Sequence, residues 1–437
     1  MINDKKVIRA WSMYDWANSV YSLVIISSIF PVYYESVTRT DNSDLVTFFN
    51  IEVINTVLYS YALSFSFLVV ALMLPLLTGI ADYSGKRLFF MKIFVFVGSF
   101  ACMGLYFFNG SNIEYGIILA VIASISFSGS LVFYNSYLPQ IASIDKIDEV
   151  SAKGFSYGYA GSVILLIFCL VLIQKPELFG VAPGGMAAKI SFVLVGLWWL
   201  GFAQITFKRM PADVMDVSSK PNMLMNGYKE IQNVWLLLKS LPVTKKFLLS
   251  FFFYNTGVQT VMYMAAQFGS KVLKLESGEL IMTILIINVV AIVGSYSFAK
   301  LSLFKGNKLS ISSMLLVWIL ICIAAFLVTS KIEFFILAFF VGLVMGGIQA
   351  LSRATYSKLI PSNTADFASF FSFYDVTFNI SIVVGTFSYG LIEYLTGSMR
   401  NSSLALGLFF IIGLAILLTL QFPENSLGKK STRNEGA

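Results

Sequence analysis

Residues 79–87 read Gly79-Ile80-Ala81-Asp82-Tyr83-Ser84-Gly85-Lys86-Arg87 and join two apolar runs, 57–78 and 88–107. The stretch differs from a phosphate-binding loop. Five residues instead of four separate its glycines, Arg87 stands where a magnesium-binding hydroxyl is needed, and no strand precedes it. We therefore predict no nucleotide binding here. An apolar run of about 20 residues can cross a bilayer, so residues 79–87 are predicted to be a short basic connection between two membrane helices.

The remainder of the chain has the same apolar character. Of its 437 residues, 57% are hydrophobic and 12% are charged, whereas a soluble globular domain carries about 25% charged residues. Twelve membrane helices of about 20 residues would need about 240 apolar positions, which is close to the number present. The composition therefore indicates a protein that crosses the membrane many times.

The residue types also exclude several kinds of catalytic and metal site. The sequence contains no His, which rules out imidazole-based metal centres, Ser-His-Asp triads and His-based pH switches. Its three cysteines stand singly inside apolar runs, without a Cys-x-x-Cys spacing, and are predicted to be small core residues. We predict that the protein is not an enzyme and has no cofactor and no metal site.

Polar interruptions divide the chain into twelve predicted spans, six on either side of a polar central segment. They are residues 10–34, 57–78, 88–107, 115–137, 155–174 and 187–206, then 247–267, 279–299, 309–329, 333–357, 367–392 and 403–422. The first run is predicted to be a retained helix, because it exceeds a signal-peptide core and lacks a small-residue cleavage site. The predicted domains are a six-helix half (1–207), a central loop (208–246), a second six-helix half (247–422) and a cytoplasmic tail (423–437).

Basic residues are distributed unequally between alternate loops. If the N-terminus is cytoplasmic, 23 Lys and Arg residues lie on the cytoplasmic side and seven lie on the other. This asymmetry follows the positive-inside rule and places both termini in the cytoplasm. The net charge of +7 is thus a signal of topology, and we predict no nucleic-acid partner.

The central segment has two interpretations of equal weight. Five apolar residues fall on one helical face, namely Tyr228, Ile231, Val234, Trp235 and Leu238. Such a face is typical of an amphipathic helix lying on a membrane. The alternative is a solvated linker, since the segment from Lys208 to Lys246 holds seven basic residues and three prolines.

The two halves show weak internal repetition. Tyr14-Asp15 and Tyr254-Asn255 occupy comparable places in the first helix of each half. The fourth helix of each half ends in a similar tripeptide, Tyr137-Leu138-Pro139 and Leu359-Ile360-Pro361. Gly154-Phe155 likewise matches Ser369-Phe370, and the offsets of 215 to 240 residues suggest a duplicated six-helix unit, as in the parallel repeat of the major facilitator fold.

The connection between spans 2 and 3 resembles the loop 2–3 motif of major facilitator transporters. The residues that carry this resemblance are Gly79, Asp82, Gly85, Lys86 and Arg87. In that family, the acidic residue can lie against the positive N-terminal end of a neighbouring helix, and the contact breaks when the halves rock. The neighbouring helix here would be span 11, beginning near Ser362 or Thr364. The alternative is an ordinary basic turn.

Polar side chains inside the spans are the candidate substrate or coupling sites, because ionisable groups are costly in lipid and usually face a partner or an aqueous cavity. Asp15 lies about two turns into span 1, Arg353 lies in the cytoplasmic third of span 10, and Asp375 lies near the middle of span 11. The other candidates are amides in spans 1, 4, 7 and 10 and tyrosines beside polar residues: Tyr14, Asn18, Tyr134, Asn135, Tyr254, Asn255, Gln259, Gln349 and Tyr374.

Each of these candidates has a structural alternative. The amides would serve equally to hydrogen-bond adjacent helices. Arg353 has three interpretations: a ligand for a substrate carboxylate, a gate contact, or a lipid-headgroup anchor. Asp375 is either a proton-coupling carboxyl or a neutral group bonded to Tyr134 or Asn135.

Five sequence blocks carry a resemblance to one family. The blocks are Trp11-x-x-Tyr14-Asp15-Trp16-Ala17-Asn18-Ser19, Phe133-Tyr134-Asn135-Ser136-Tyr137-Leu138-Pro139, Tyr254-Asn255-Thr256-Gly257-Val258-Gln259-Thr260, Gly346-Gly347-Ile348-Gln349-Ala350-Leu351-Ser352-Arg353 and Phe371-Ser372-Phe373-Tyr374-Asp375-Val376-Thr377. In order, and over nearly the whole chain, they resemble the vacuole-effluxer branch of the major facilitator superfamily, which includes autophagy-related vacuolar amino-acid exporters and their bacterial relatives. One position departs from the pattern, because Thr256 stands where the family favours Asp, and this puts a coupling role for span 7 in doubt.

The resemblance implies an all-α membrane protein with twelve transmembrane helices in two pseudo-symmetric six-helix halves. It implies a secondary active transporter that works by alternating access and exports amino acids or similar small solutes, with proton coupling as one source of energy. The expected partners are the bilayer, a small-molecule substrate and protons, and the expected form is a monomer in a bacterial cytoplasmic membrane. The alternative is a transport-inactive sensor or scaffold that retains the fold.

Overall fold

Long helices account for most of the computed structural model, which describes residues 2–39, 44–182, 185–211, 223–361 and 364–422. The helices of the first half are α1 (Lys5–Thr38), α2 (Asn55–Ser84), α3 (Arg87–Gly104), α4 (Ile113–Ser136), α5 (Ile147–Gln174) and α6 (Met186–Phe207). Those of the second half are α7 (Pro242–Leu273), α8 (Ser277–Lys305), α9 (Asn307–Leu327), α10 (Lys331–Leu359), α11 (Phe367–Thr396) and α12 (Met399–Leu418). Within α1, residues Tyr21–Ile29 form a π-helical segment. Short helical turns cover Leu105–Phe107, Leu138–Ile141 and Pro176–Phe179.

Eleven helices in the described part of the chain are long and apolar enough to cross a membrane. The remaining predicted span, 247–267, lies within α7, which has 32 residues and would be about 48 Å long at 1.5 Å per residue. Helix α7 is less apolar because it carries Lys245, Lys246, Asn255 and Gln259. The two amides are buried inside the bundle, so the polarity of α7 belongs to the protein interior rather than to a lipid-facing surface.

The predicted spans underestimate the lengths of several helices. For example, α5 begins at Ile147 instead of residue 155, and α2 continues to Ser84 instead of residue 78. The additional turns are polar and were excluded by an apolar criterion. In α5 they include Asp148 and Glu149, which are favourable in the first turn because that end of a helix carries partial positive charge.

A small β-hairpin, which the all-α prediction did not include, connects α1 and α2. Its strands β1 (Leu45–Phe48) and β2 (Ile51–Ile54) are antiparallel, with Leu45 opposite Ile54. The turn residues Phe49 and Asn50 both have positive φ, as a tight two-residue hairpin connection requires. Four-residue strands are too short to give a periodic signal that the sequence could reveal.

The two halves meet along two main helix pairs, α2 with α11 and α5 with α8. Helix α5 also packs against α10, and α4 packs against α11. We call the end of the bundle where α1 begins and α12 ends the terminal end. Asp82, Arg353 and Asp375 lie on these inter-half helices, whereas Asp15 lies on α1 and Asn255 lies on α7.

In the part of the central segment that the structure describes, a helix covers Met223–Ser240, which we call the central helix, and α7 begins at Pro242. The central helix crosses α2 closely: a Cβ added to Gly79 would lie 2.3 Å from the carbonyl oxygen of Gly227. Of the five residues of the predicted apolar face, Val234 and Leu238 are buried, whereas Tyr228 and Trp235 are 54% and 46% exposed. The segment is thus helical over Met223–Ser240 rather than a linker, and part of its apolar face packs on protein. Residues 212–222 of the predicted loop and the predicted tail at 423–437 lie outside the described residues.

Candidate substrate and gating sites

Arg353 of α10 reaches across the boundary between the halves and is almost fully buried, with 3% of its surface exposed. Its Nη1 and Nη2 each lie 3.3 Å from Oδ2 of Asp15 on α1, and Nη1 is 3.3 Å from Oδ1 of Asn135 on α4. Its Nε donates to the Ser151 hydroxyl at 3.0 Å, and Nη2 donates to the Ser151 carbonyl at 2.9 Å. One guanidinium thus binds three helices of the opposite half.

Aromatic rings surround the same guanidinium. Its carbon atom lies 4.1 Å from the ring centre of Phe155, 4.8 Å from that of Trp11 and 5.5 Å from that of Tyr134. Tyr134 also donates its hydroxyl to Oδ2 of Asp15 at 2.7 Å. A buried ion pair is tolerated only when further hydrogen bonds satisfy both groups, and this arrangement supplies them to Asp15 and Arg353.

A glycine on α5 makes room for this ion pair. A Cβ at Gly154 would lie 2.5 Å from Oδ2 of Asp15 and 2.9 Å from Nη2 of Arg353. Any larger residue would therefore displace one of the two charges. The glycine pair Gly154 and Gly158 permits close helix approach, and here the approach brings α5 onto α1.

Asp82 lies in the last turn of α2, against the beginning of α11. Its Oδ2 accepts a hydrogen bond from the backbone N–H of Ser369 at 2.7 Å, and its Oδ1 accepts one from Ala368 at 3.4 Å. Arg87 of the same motif is 3.8 Å from Asp82 and also hydrogen-bonds Gln140. The acidic group thus contacts the positive end of a helix from the other half. Helix α11 begins at Phe367, the first residue of the predicted span and a few residues after Thr364, and Ser362 lies outside the described residues.

The other residues of the motif shape the connection rather than the contact between halves. Gly85 ends α2 in the left-handed region, with φ +60°, which favours glycine. Lys86 immediately precedes α3. Gly79 packs on the central helix, as described above. Asp82 reaches the second half through its hydrogen bonds to Ala368 and Ser369.

The remaining candidates form separate groups. In the second half, Tyr254 hydrogen-bonds Ser352 at 2.7 Å, and Gln259 donates to Asn255, which donates to Ser381. Gln349 accepts a hydrogen bond from Tyr159 of the first half at 2.5 Å. Tyr14 and Asn18 are buried in the first half, where Tyr14 packs against Tyr134, and Tyr374 stacks on Phe251.

Asp375 is buried on α11 but does not form the bond to Tyr134 or Asn135 that was its structural alternative. Tyr134 is bonded to Asp15, and Asn135 is bonded to Arg353. Among the residues that the structure describes, none donates a hydrogen bond to Oδ2 of Asp375.

One further buried cluster, around Asp148, has no distinguishing pattern in the sequence. Asp148, in the first turn of α5, is bound by Lys358, Ser302 and Asn307 of the second half. All four residues lie in polar connections or at helix ends, where single charged and amide residues are ordinary. Only the buried position of Asp148, which cannot be read from the sequence, distinguishes it from its exposed neighbour Glu149.

Comparison with solved structures identifies the fold as that of major facilitator superfamily transporters. The proton:xylose symporter XylE aligns with a TM-score of 0.73 at 11% identity, over 94% of each chain. The human organic anion transporter MFSD10 aligns with a TM-score of 0.71 at 11% identity, over 94% of this chain and 99% of that one. The chain is thus an integral multi-pass membrane protein with a transporter fold, and the predicted all-α fold class is confirmed.

Sequence comparison then gives the family. The model of the family described as "Vacuole effluxer Atg22 like" matches residues 3–426, and the chain belongs to this family of transporters. The uncharacterized MFS-type transporter YxiO of Bacillus subtilis is 28% identical over 94% of this chain and 93% of that protein. Autophagy-related protein 22 of Kluyveromyces lactis is 24% identical over 98% of this chain and 95% of that protein. The predicted family and the predicted transporter class are both confirmed.

Proposed function

We propose that this transporter exports a small zwitterionic solute, such as a neutral amino acid, from a bacterial cytoplasm by alternating access. Membership of an effluxer family supports the direction of transport. The contact that carries the proposal is the ion pair of Arg353 and Asp15, because it is buried and joins the two halves. Alternating access requires such contacts to form at one end of the bundle and to break when that end opens.

A substrate carboxylate is the natural competitor for Arg353. A guanidinium binds carboxylates through two parallel N–H groups, and both terminal nitrogens of Arg353 face Asp15. A solute that offers its own carboxylate would take the place of Asp15 and release α1 from α10. In this proposal the aromatic rings of Trp11 and Phe155 keep the site dry, so an unpaired guanidinium is strongly disfavoured.

The terminal end is proposed to face the cytoplasm. The distribution of basic residues supports this orientation. A cysteine introduced at Glu52, in the exposed hairpin, should react with a membrane-impermeant maleimide in intact cells. A cysteine at Leu236, on the exposed side of the central helix, should react only after permeabilisation. Reaction of the second cysteine in intact cells would overturn the orientation.

Proton coupling is proposed at Asp375. Its carboxyl is buried in an inter-half helix, and the structure shows no donor to its Oδ2 within the described ranges. A buried carboxyl can exchange a proton when water access alternates between the two ends. Asp15 is the less suitable group, since Tyr134 and Arg353 stabilise its ionised form.

Counterflow in proteoliposomes tests the transport proposal directly. Vesicles preloaded with one unlabelled amino acid, from a panel of neutral, acidic and basic ones, should take up the same labelled amino acid faster than empty vesicles. Asp15→Asn should slow this exchange, and the matched control is Asp4→Asn, an exposed position at the same end of α1. Absence of counterflow with every member of the panel would favour the alternative of a transport-inactive sensor or scaffold.

A further inference from the structure

Asp148 provides a contact between the halves that complements the one made by Asp82. The halves meet along α2 with α11 and along α5 with α8. In the first pair, Asp82 near the end of α2 binds the beginning of α11. In the second pair, Asp148 at the beginning of α5 binds the end of α8. In both pairs the first half supplies the acidic residue and the second half supplies the donors.

Three donors from three elements converge on the Asp148 carboxylate. Lys358 Nζ and Ser302 Oγ lie 2.7 and 2.8 Å from Oδ2, and Asn307 Nδ2 lies 2.9 Å from Oδ1. These donors belong to the ends of α8 and α10 and the beginning of α9. Asp148 is 1% exposed and the Lys358 side chain is 6% exposed, so water does not screen the pair.

The donors are also held in place by one another. Lys358 Nζ donates to Oδ1 of Asn307 at 3.1 Å, and Asn307 Nδ2 donates to Oγ1 of Thr355 at 2.9 Å. These bonds lie entirely within the second half and do not depend on Asp148. We call Lys358, Ser302 and Asn307 the anion socket, because they form a preorganised receptor for one carboxylate.

The socket acts together with the Arg353 site. Asp148 and Ser151 are three residues apart on α5 and therefore lie on the same face of the helix. Ser151 accepts hydrogen bonds from Arg353 and donates its hydroxyl to the carbonyl of Ala350. Movement of α5 away from the second half would thus break the Asp148 and Arg353 contacts in one step.

We propose that Asp148 is a positioning residue of the transport cycle, which holds the terminal end closed by docking in the anion socket. The inference rests on the proposed alternating access. It adds a second inter-half contact, beside the Arg353 ion pair, that stabilises the closed terminal end. It also assigns the contacts of Lys358, Ser302 and Asn307 with Asp148 to the closed state. When the terminal end opens, Asp148 leaves the socket and water solvates both partners.

The test measures access to a cysteine at Ser156, in a background without the native cysteines. Ser156 contacts Ser295 of α8 across the halves and is buried, so its reaction with a maleimide requires separation of the halves at the terminal end. Asp148→Asn should raise the labelling rate about tenfold, since a charge-assisted buried contact is lost. The control Glu149→Gln removes a neighbouring but exposed charge and should leave the rate unchanged.

A second cysteine distinguishes opening of the terminal end from a general loosening of the helix bundle. Phe67 of α2 faces Tyr263 of α7 across the halves, toward the opposite end, with ring centres 6.3 Å apart. In Asp148→Asn, a cysteine at Phe67 should label more slowly than in the parent, because alternation closes one end as the other opens. Faster labelling at both Ser156 and Phe67 would indicate loosening of the bundle and would overturn the proposal.

A double-mutant comparison tests the partner. Lys358→Met alone should also speed labelling at Ser156, and Asp148→Asn with Lys358→Met should be no faster than the faster single variant. Additive effects would show that the two residues act independently and would refute the socket. The assay needs no substrate, so failure of counterflow with unchanged labelling results would count against the transport function alone.

Discussion

Replacing Arg353 by Lys keeps the positive charge and removes the planar group that binds three helices at once. The guanidinium makes five hydrogen bonds. Two of them go to Ser151 and hold the guanidinium in the orientation in which it faces Asp15. A single ammonium can keep the pair with Asp15 but cannot also reach both Ser151 oxygens. Loss of two charge-assisted bonds at about 1.5 kcal/mol each weakens the closed state by about 3 kcal/mol.

The expected consequence is a large change in the conformational equilibrium. About 3 kcal/mol corresponds to a factor of about 100 in the ratio of closed to open states at the terminal end. Labelling of a cysteine at Ser156 should accelerate accordingly, up to the limit set by the fully open state. The rate of counterflow should fall, since the same guanidinium is proposed to bind the substrate carboxylate. Purified Arg353→Lys should remain folded, because an extensive apolar core still packs the helices together.

The control is Arg9→Lys, an exposed replacement near the same end of α1, which should behave as the parent protein. Two results would refute the reasoning. If Arg353→Lys shows parental labelling and parental counterflow, the forked contacts contribute nothing to closure. If Ser156 labelling rises while counterflow and substrate KM stay constant, Arg353 is a gate contact and does not bind the substrate.

The other predictions concern three carboxyl groups. Asp82→Asn should slow transport several-fold with little change in melting temperature, because it weakens a single contact to the N-terminal end of α11; unchanged initial rates would remove Asp82 from the gate. Burial and the neighbouring Asp366 carboxylate raise the pKa of Glu230 from 4.5 to about 7. The docked central helix then binds more protons than an undocked one, so docking is fully supported below about pH 4.5 and weakens as the pH rises through 7. Spin-label distances from the central helix to α11 should lengthen between about pH 4.5 and 7, and Glu230→Gln should abolish this change; a pH response that persists in the variant would exclude Glu230. Asp375→Asn should abolish accumulation driven by a pH gradient and spare counterflow, and continued accumulation in the variant would place the coupling group elsewhere.

The fold could be predicted because membrane helices are specified locally. An apolar run such as 88–107 can be recognised from its own consecutive residues, and so can a basic connection such as 79–87. The thickness of the bilayer sets the length of the apolar run. The parts that escaped prediction have no such local signal. The hairpin at Leu45–Ile54 is short, and the polar first turn of α5 resembles a loop in composition.

The sequence predicts which residues belong to the candidate site, but it does not predict which of them contact each other. Asp15 and Arg353 each stood out as ionisable residues inside an apolar span, yet 338 residues separate them and no local pattern joins them. The contact of Asp82 with α11 can be predicted, because the resemblance of the loop 2–3 motif implies it. Asp148 and Lys358 lie at helix ends, where a charged residue costs little free energy, so the sequence does not indicate that either side chain is buried.

The depth of each inter-half contact indicates what must replace it when the terminal end opens. Asp82 and Asp148 lie within the outermost turns of α2 and α5, where water can solvate the separated charges. Asp15 lies ten residues beyond the start of α1, about 15 Å along its axis, in a site enclosed by Trp11, Tyr134 and Phe155. Since this pair is the deepest of the three and the one surrounded by aromatic rings, hydration compensates for its loss least well. A solute carboxylate that binds Arg353 would remove this cost, and the proposed cycle thereby links opening at the terminal end to the presence of substrate.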